Sequence, residues 1–308
     1  MSITRTGFVP LPRGRHPGFD HADTWLGDLV ARIYVAHTGA DRVDVIDCEA
    51  RAFLRSIDGL PGVAGVLISN EHDLLFTSDR ECARVSVFRC SDELVVGRVD
   101  VGCHPNGLAY DPTRRRLFSF NLGEPLGVGC TVSVMAIDSM TVEAEIRLPG
   151  RPRWAAYEAA TDTVYANVLD PAVVLCIDPA ALAITSSIDV PVAGPHGLWV
   201  ADARLYCAAD GGAVVVMDRD SGSITASIPL PGSPDVVWHD PEGAKLYVAV
   251  GDPGAVTVVD TATLRIVETI TTERGAHTLG WDPTHRTLYV FCPESGGAAL
   301  FAYQGGGS

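Results

Sequence analysis

The chain has 308 residues, 47% of them apolar and 20% charged, which is enough to build a large core and lies outside the range of disordered or fibrous sequences. Thirty-eight acidic side chains against 23 basic ones give a formal charge of −15, a field that repels phosphate backbones and anionic membranes, so neither nucleic acid nor a membrane is expected as a partner. Lys245 is the one lysine, so Schiff-base chemistry has almost no place.

At the N-terminus, MSITRTGFVPLPRGRH carries cations but no apolar signal core, and no later run approaches the roughly 18 uninterrupted apolar residues of a membrane span. A cytoplasmic location is therefore expected. The eight cysteines (48, 82, 90, 103, 130, 176, 207 and 292) form no CxxC pair and several fall in strand-like segments. In a reducing compartment they read as small buried hydrophobes.

From residue 33 onward one unit recurs: IYVAHTGADRVDVID, LLFTSDRECARVSVF, LFSFNLGEPLGVGCTVSVMAID, VYANVLDPAVVLCID, LYCAADGGAVVVMD, LYVAVGDPGAVTVVD and LYVFCPESGGAALFA. Each copy follows a short run often ending in Asp-Pro (GLAYDP, VVWHDP, LGWDP), and the copies before the last are followed by an alternating run such as TVEAEIRL or SITASIPL. Apolar residues alternate, Gly, Pro and Asp mark the turns, and no window carries a helical period. Each unit is thus four short strands repeating at roughly 40–45 residues, the pattern of a propeller blade. The spacing predicts an all-β chain, a seven-bladed β-propeller over residues 1–304, with 305–308 a Gly/Ser tail. The seventh unit supplies three strands, at about 277–282, 287–292 and 297–303, and then the chain ends. The N-terminal run ITRTGFVPL is expected to complete that blade and remove an exposed sheet edge.

The V-x-V-I-D and LYVA strands, and the GCHPNGLAYDP entry, resemble the YVTN/YncE-like family of seven-bladed propellers over essentially the whole chain. The resemblance implies the fold. Relatives of this fold include lyases, lactonases, electron-transfer proteins and binding scaffolds, so function has to be argued from the site.

In a propeller the innermost strand of each blade lines the central channel, and its entry shares a face with the turn between the second and third strands. Aligning the blades on the LY pair, with a small gap in blades five and one, gives an inner ring of His21, Ala64, Asn106, Arg153, His196, Asp235 and His277, with His16 or Asp20 as alternatives to His21. His196, Asp235, His277 and His21 become contiguous when the ring closes. Three imidazoles and a carboxylate suit a divalent transition metal (Zn, Fe, Mn, Ni or Cu). On the opposite arc, Arg153 and Asn106, with Trp154 and His104 beside them, suit a small anionic substrate gripped by a guanidinium fork, unless Arg153 merely pairs with Glu158. The second strands end at His37, Asp79, Asn121, Asn167, Asp210, Asp252 and Cys292, turn residues of which His37 is the candidate general base. His37, Asp235 and His277 are the catalytic candidates. The long loop at 122–130 is expected to act as a lid.

No GxSxG or GxGxxG stands in the required context, and one Asp and one Asn are too few for a calcium-type propeller hydrolase. The expectation is a small-molecule enzyme (lyase, hydrolase, isomerase or cyclase, or oxygenase) with a metal on the His/Asp arc. The alternatives are a metal-free acid–base lyase in which Asp235 orients a histidine, and a non-catalytic binding or scaffold propeller.

Overall fold

Each repeat of the sequence folds into four short antiparallel strands, because its apolar residues alternate and its Gly, Pro and Asp residues fall between the alternating runs. The computed structural model describes residues 2–28 and 30–303, and among them 28 strands form seven four-stranded sheets. Six sheets are consecutive in sequence, spanning residues 22–58, 63–100, 105–147, 152–189, 195–229 and 233–271. The seventh joins Thr278–Asp282, Thr287–Cys292 and Gly297–Tyr303 to the N-terminal strand Ile3–Pro10. This is the seven-bladed propeller expected from the repeat, closed as expected by the N-terminus. The tail expected at 305–308 lies outside the described residues.

The core follows the LY pair. Its second member is Tyr34, Phe76, Phe118, Tyr165, Tyr206, Tyr247 or Tyr289 in successive blades, and every one is buried between sheets. The aliphatic residue before each, from Ile33 to Leu288, is wholly buried against the next face, since successive side chains of a strand point to opposite sides. A blade flanked by two neighbours therefore needs apolar residues on both faces of its middle strands, and here it has them. The Asp-Pro signals have a local cause: Asp111, Asp240 and Asp282 are buried, and each accepts a backbone N–H from the turn that follows, Arg114 at 3.1 Å, Gly243 at 3.1 Å and Thr284 at 3.0 Å.

All eight cysteines are free thiols. Cys48, Cys90, Cys130, Cys207 and Cys292 are buried as expected, whereas Cys82, in a turn, and Cys103, at a blade entry, are exposed. Among the described residues no helix is long and apolar enough to cross a membrane.

Strand Ile3–Pro10 pairs antiparallel with Gly297–Tyr303 in register from Ile3 opposite Tyr303 to Pro10 opposite Gly297. It is an outer edge strand, where a proline is tolerated, and it buries Ile3 and Val9. The Ile3 amide also donates to Glu268 Oε2 at 3.1 Å, tying the strand to blade six. Deleting residues 1–10 removes this pairing and two buried aliphatic side chains, each worth ~1.5–3 kcal/mol. The truncated chain is expected to melt at a lower temperature by several degrees, as followed by circular dichroism; an unchanged melting temperature would count against the clasp.

Candidate functional site

Where the seven inner strands begin, they surround a polar cavity of about 300 Å³. His21, Asn106, Arg153, His196, Asp235 and His277 all line it, so six of the seven ring positions read from the sequence converge there. The seventh, Ala64, is fully buried, and its carbonyl accepts the His21 amide at 3.1 Å. Blade two reaches the cavity instead through Arg80, on the turn between its second and third strands. Asp20, His104, Arg151 and Trp154 complete the polar and aromatic wall, and Leu122 and Leu126 bring the long blade-three loop over it.

Glycines set the ring's diameter. A Cβ on Gly65 would stand 2.4 Å from the Asn106 carbonyl oxygen, one on Gly107 2.4 Å from that of Arg153, and one on Gly197 2.0 Å from that of Asp235. In each case the glycine after one ring residue admits the backbone of the ring residue in the next blade. Second-strand ends brace the same backbone: Asn167 Nδ2 donates to the carbonyls of His196 and Gly197, both at 3.0 Å.

Three guanidiniums meet in this cavity. Arg80 donates to Asp20 at 2.9 Å and to Asn106 Oδ1, and Arg153 approaches Asp210 at 3.9 Å rather than Glu158, which faces Arg219. Among the described residues Arg151 has no ion-pair partner within 4 Å, and the buried Nε atoms of Arg80, Arg151 and Arg153 have no hydrogen-bond acceptor. Burial, followed by the charges of Arg153 and Arg80, pulls the Arg151 pKa below its ordinary value. A cation in that position is stabilised by an anion's arrival.

The histidines are set apart by their surroundings. His196 lies 2.9 Å from Asp210 Oδ1 through Nδ1 and 3.1 Å from Asp235 Oδ1 through Nε2. Burial disfavours its charge, but Asp235 and the hydrogen bond to Asp210 outweigh burial, so His196 titrates above the ordinary histidine value. His21 packs on Trp154 with ring centroids 3.9 Å apart, and burial holds it below that value, Asp20 opposing and Arg80 reinforcing the shift. Their surroundings therefore drive the two rings apart, His196 toward the imidazolium and His21 toward the neutral imidazole. Burial also raises the Asp20 carboxyl, but Arg80, then His21, more than offset it, and it stays ionised. His277 places Nδ1 2.8 Å from the Gly275 carbonyl, which assigns its proton there and makes Nε2 the acceptor in the neutral ring. His104 similarly holds the Gly123 carbonyl at 3.2 Å.

The four residues expected to hold a metal, His21, His196, Asp235 and His277, thus share one cavity. His196 nevertheless gives both ring nitrogens to carboxylates, with Arg153 Nη1 3.4 Å from Nε2, and among the described residues no group of three or more His, Cys, Asp or Glu has metal-binding geometry. His37 lies elsewhere: it is buried beside Phe19, 2.6 Å from Asp44, whose other oxygen takes Arg42 and Ser56. His16, the alternative for blade one, is also outside the lining, while Asp20 and His21 both reach it. Of the other second-strand ends, Asp79 and Asn121 bond to strand residues of their own blades, and Asp252 accepts from Arg274 on the exposed loop that leads into blade seven.

Sequence reasoning missed Arg80 and Arg151. Arg151 carried a signal, because in the extended Arg-Pro-Arg entry residues two apart face the same side, as His104 and Asn106 do in His-Pro-Asn. Arg80 is one residue beyond the last strand residue considered, Asp79.

No family model matches the chain, and no curated protein matches it. Among solved structures it is similar to hydrazine synthase of Kuenenia stuttgartiensis, with a TM-score of 0.77 and 15% identity over 95% of this chain and 97% of that one. At that identity the likeness shows the propeller fold.

The raised folded-state value of His196 has a stability consequence. The stability contributed by its charge is present in full below about 6.5 and is lost as pH rises through the folded value. Proton NMR titration of the histidine rings is expected to place His196, like His285, above and His21 below that figure, with His196→Gln removing one of the two raised transitions; the reverse order for His196 and His21 would contradict the assigned carboxylate contacts.

Proposed function

We propose that this chain binds a small anionic metabolite at the channel mouth and transforms it by metal-free acid–base catalysis. The observation that carries the reading is the convergence of Arg80, Arg151 and Arg153 on one cavity that also holds two histidines whose surroundings shift their titrations in opposite directions. In a molecule of net charge −15, long-range attraction does not deliver anions, so local capture has to hold them. Guanidinium forks match carboxylate or phosphate oxygens, and Arg151 is the one whose charge is least compensated. His21, neutral, accepts a proton from the bound substrate, and His196, charged and held by Asp210 and Asp235, delivers one. Groups whose environments drive their pKa values apart are the usual division of acid from base. Proton abstraction and return is the chemistry of lyases and isomerases. The name of the structural relative describes a synthase, and its chemistry does not extend to this reading.

A second reading keeps a divalent transition metal on His21, His196, Asp235 and His277, favoured by their sharing one cavity. It requires the metal to displace the contacts of His196 with Asp235 and Arg153. A third, a binding propeller without turnover, uses the same arginines.

Calorimetric titration with inorganic phosphate and with succinate tests the anion site. Arg151→Ala and Arg153→Ala are each expected to weaken binding of at least one of the two by about tenfold or more, as loss of one charge-assisted hydrogen bond does. Arg153→Lys keeps the charge, loses the fork, and falls between. Affinity should also decline as pH rises through the His196 transition. Equal affinities in all variants would make the arginines structural. Near-stoichiometric metal in untagged protein, lost in the His196→Ala, His277→Ala double variant, would replace the metal-free reading with the second one.

A further inference from the structure

Beyond the polar mouth, further along the same inner strands, lies a second cavity of about 420 Å³. Its wall is mostly apolar, built from inner-strand residues of blades one to six, and includes Trp154, Trp199 and Trp238. Trp199 and Trp238 lie with ring centroids 5.0 Å apart. His21 and Trp154, packed together with their rings tilted at 44°, line both cavities and so form the partition between them.

The charges are reversed across that partition. Among the described residues the mouth has Arg80, Arg151 and Arg153, whereas this chamber is lined by no lysine or arginine, and Asp23 and Glu71 are its carboxylates. Asp23 accepts the amides of Thr24 and Ile68, both at 2.7 Å, one on each oxygen, which fixes the carboxyl and leaves each oxygen a further lone pair. Neither contact supplies a positive charge.

We propose that the chamber is a second ligand site, separate from the mouth, that takes a small aromatic ammonium ion, its apolar body against Trp154, Trp199 and Trp238 and its cationic head toward Asp23 and Glu71. Indole faces attract cations, and removal from water strengthens that attraction. A carboxylate at the wall of an apolar cavity selects a cation over a neutral molecule of the same shape and repels an anion. Burial pushes the Asp23 carboxyl up to about 7 against the pull of its two amide partners, as befits a group without a counter-ion, and a bound ammonium supplies one.

Three of the five tryptophans line the chamber, so intrinsic fluorescence reads its occupancy. The full chain is titrated with benzyltrimethylammonium, whose charge does not depend on pH, and in parallel with benzyl alcohol and benzenesulfonate. The expected result is a saturable change with the ammonium, at least tenfold weaker binding of the alcohol, and none of the sulfonate. Asp23→Asn should weaken the ammonium about tenfold, and Ala156→Trp, which fills the chamber, should abolish its binding. Because Asp23→Asn also disturbs two backbone contacts, Glu71→Gln on the exposed turn provides a variant that leaves the fold alone, with a several-fold loss expected. Saturating phosphate should not compete. The proposal is overturned by the absence of a saturable change, by the alcohol or the sulfonate binding as well as the ammonium, by unaltered affinity in folded Asp23→Asn and Glu71→Gln, or by phosphate competition, which would place the probe in the mouth.

Discussion

Adjacent inner strands come so close that a carbonyl oxygen of one blade occupies the place of a side chain in the next, and the whole site depends on that approach. Gly65, Gly107 and Gly197 permit it, and the carbonyls they admit belong to Asn106, Arg153 and Asp235, three residues of the cavity wall. A propeller of seven blades leaves a channel whose width is set by how tightly its first strands can crowd. Here the crowding brings side chains from seven separate sheets into about 300 Å³, so residues scattered from Asp20 to His277 act as neighbours. Asn167 adds to this from behind, since a side-chain amide satisfying two backbone carbonyls fixes the strand that carries His196 without occupying the cavity.

The electrostatics of the mouth run against those of the molecule. The chain bears −15 overall, and yet its centre gathers three guanidiniums, and a histidine whose charge its neighbours favour, against the carboxylates of Asp20, Asp210 and Asp235. Buried like charges raise the free energy of the folded state unless something compensates them. Asp20 compensates Arg80, and the two aspartates beside His196 compensate that ring, which leaves Arg151 as the least relieved charge. Strain of this kind is tolerated where a ligand relieves it.

The fold was legible because propeller blades repeat: the aromatic of each LY pair, the turn aspartates and the missing fourth strand of the last unit are local patterns, and the first two have a local cause in burial or hydrogen bonding. The ring was legible for the same reason, since equal offsets from Phe118, Tyr165, Tyr247 and Tyr289, and nearly equal ones in blades one and five, place residues at equal depth. What stayed hidden was the direction of side chains outside the repeat. His37 ends a second strand just as Asp210 does, but its partner Asp44 lies on the adjacent strand of its own blade and draws the ring away from the channel, whereas Asp210 meets His196 across the mouth. Arg80 escaped because turns reach inward by geometry that alternation does not encode. The chamber beyond His21 and Trp154 escaped because apolar residues on inner strands look alike whether they pack against a neighbour or face a void.

The antiparallel pairing of Ile3–Pro10 with Gly297–Tyr303 sets Ile3 directly opposite Tyr303, at the ends of the described chain. A ring closed this way has no sequence position that is special except by history: a short linker across the clasp and a new opening between any two blades would leave every sheet intact. It also dictates timing. During synthesis, six blades can form as they emerge, but the seventh has to wait with its outer strand already made and its inner three still unmade, so the strand Ile3–Pro10 is among the last to find its place. For that interval the apolar side chains of Ile3 and Val9 are uncovered, and the nascent ring stands open at the edge that Gly297–Tyr303 will fill.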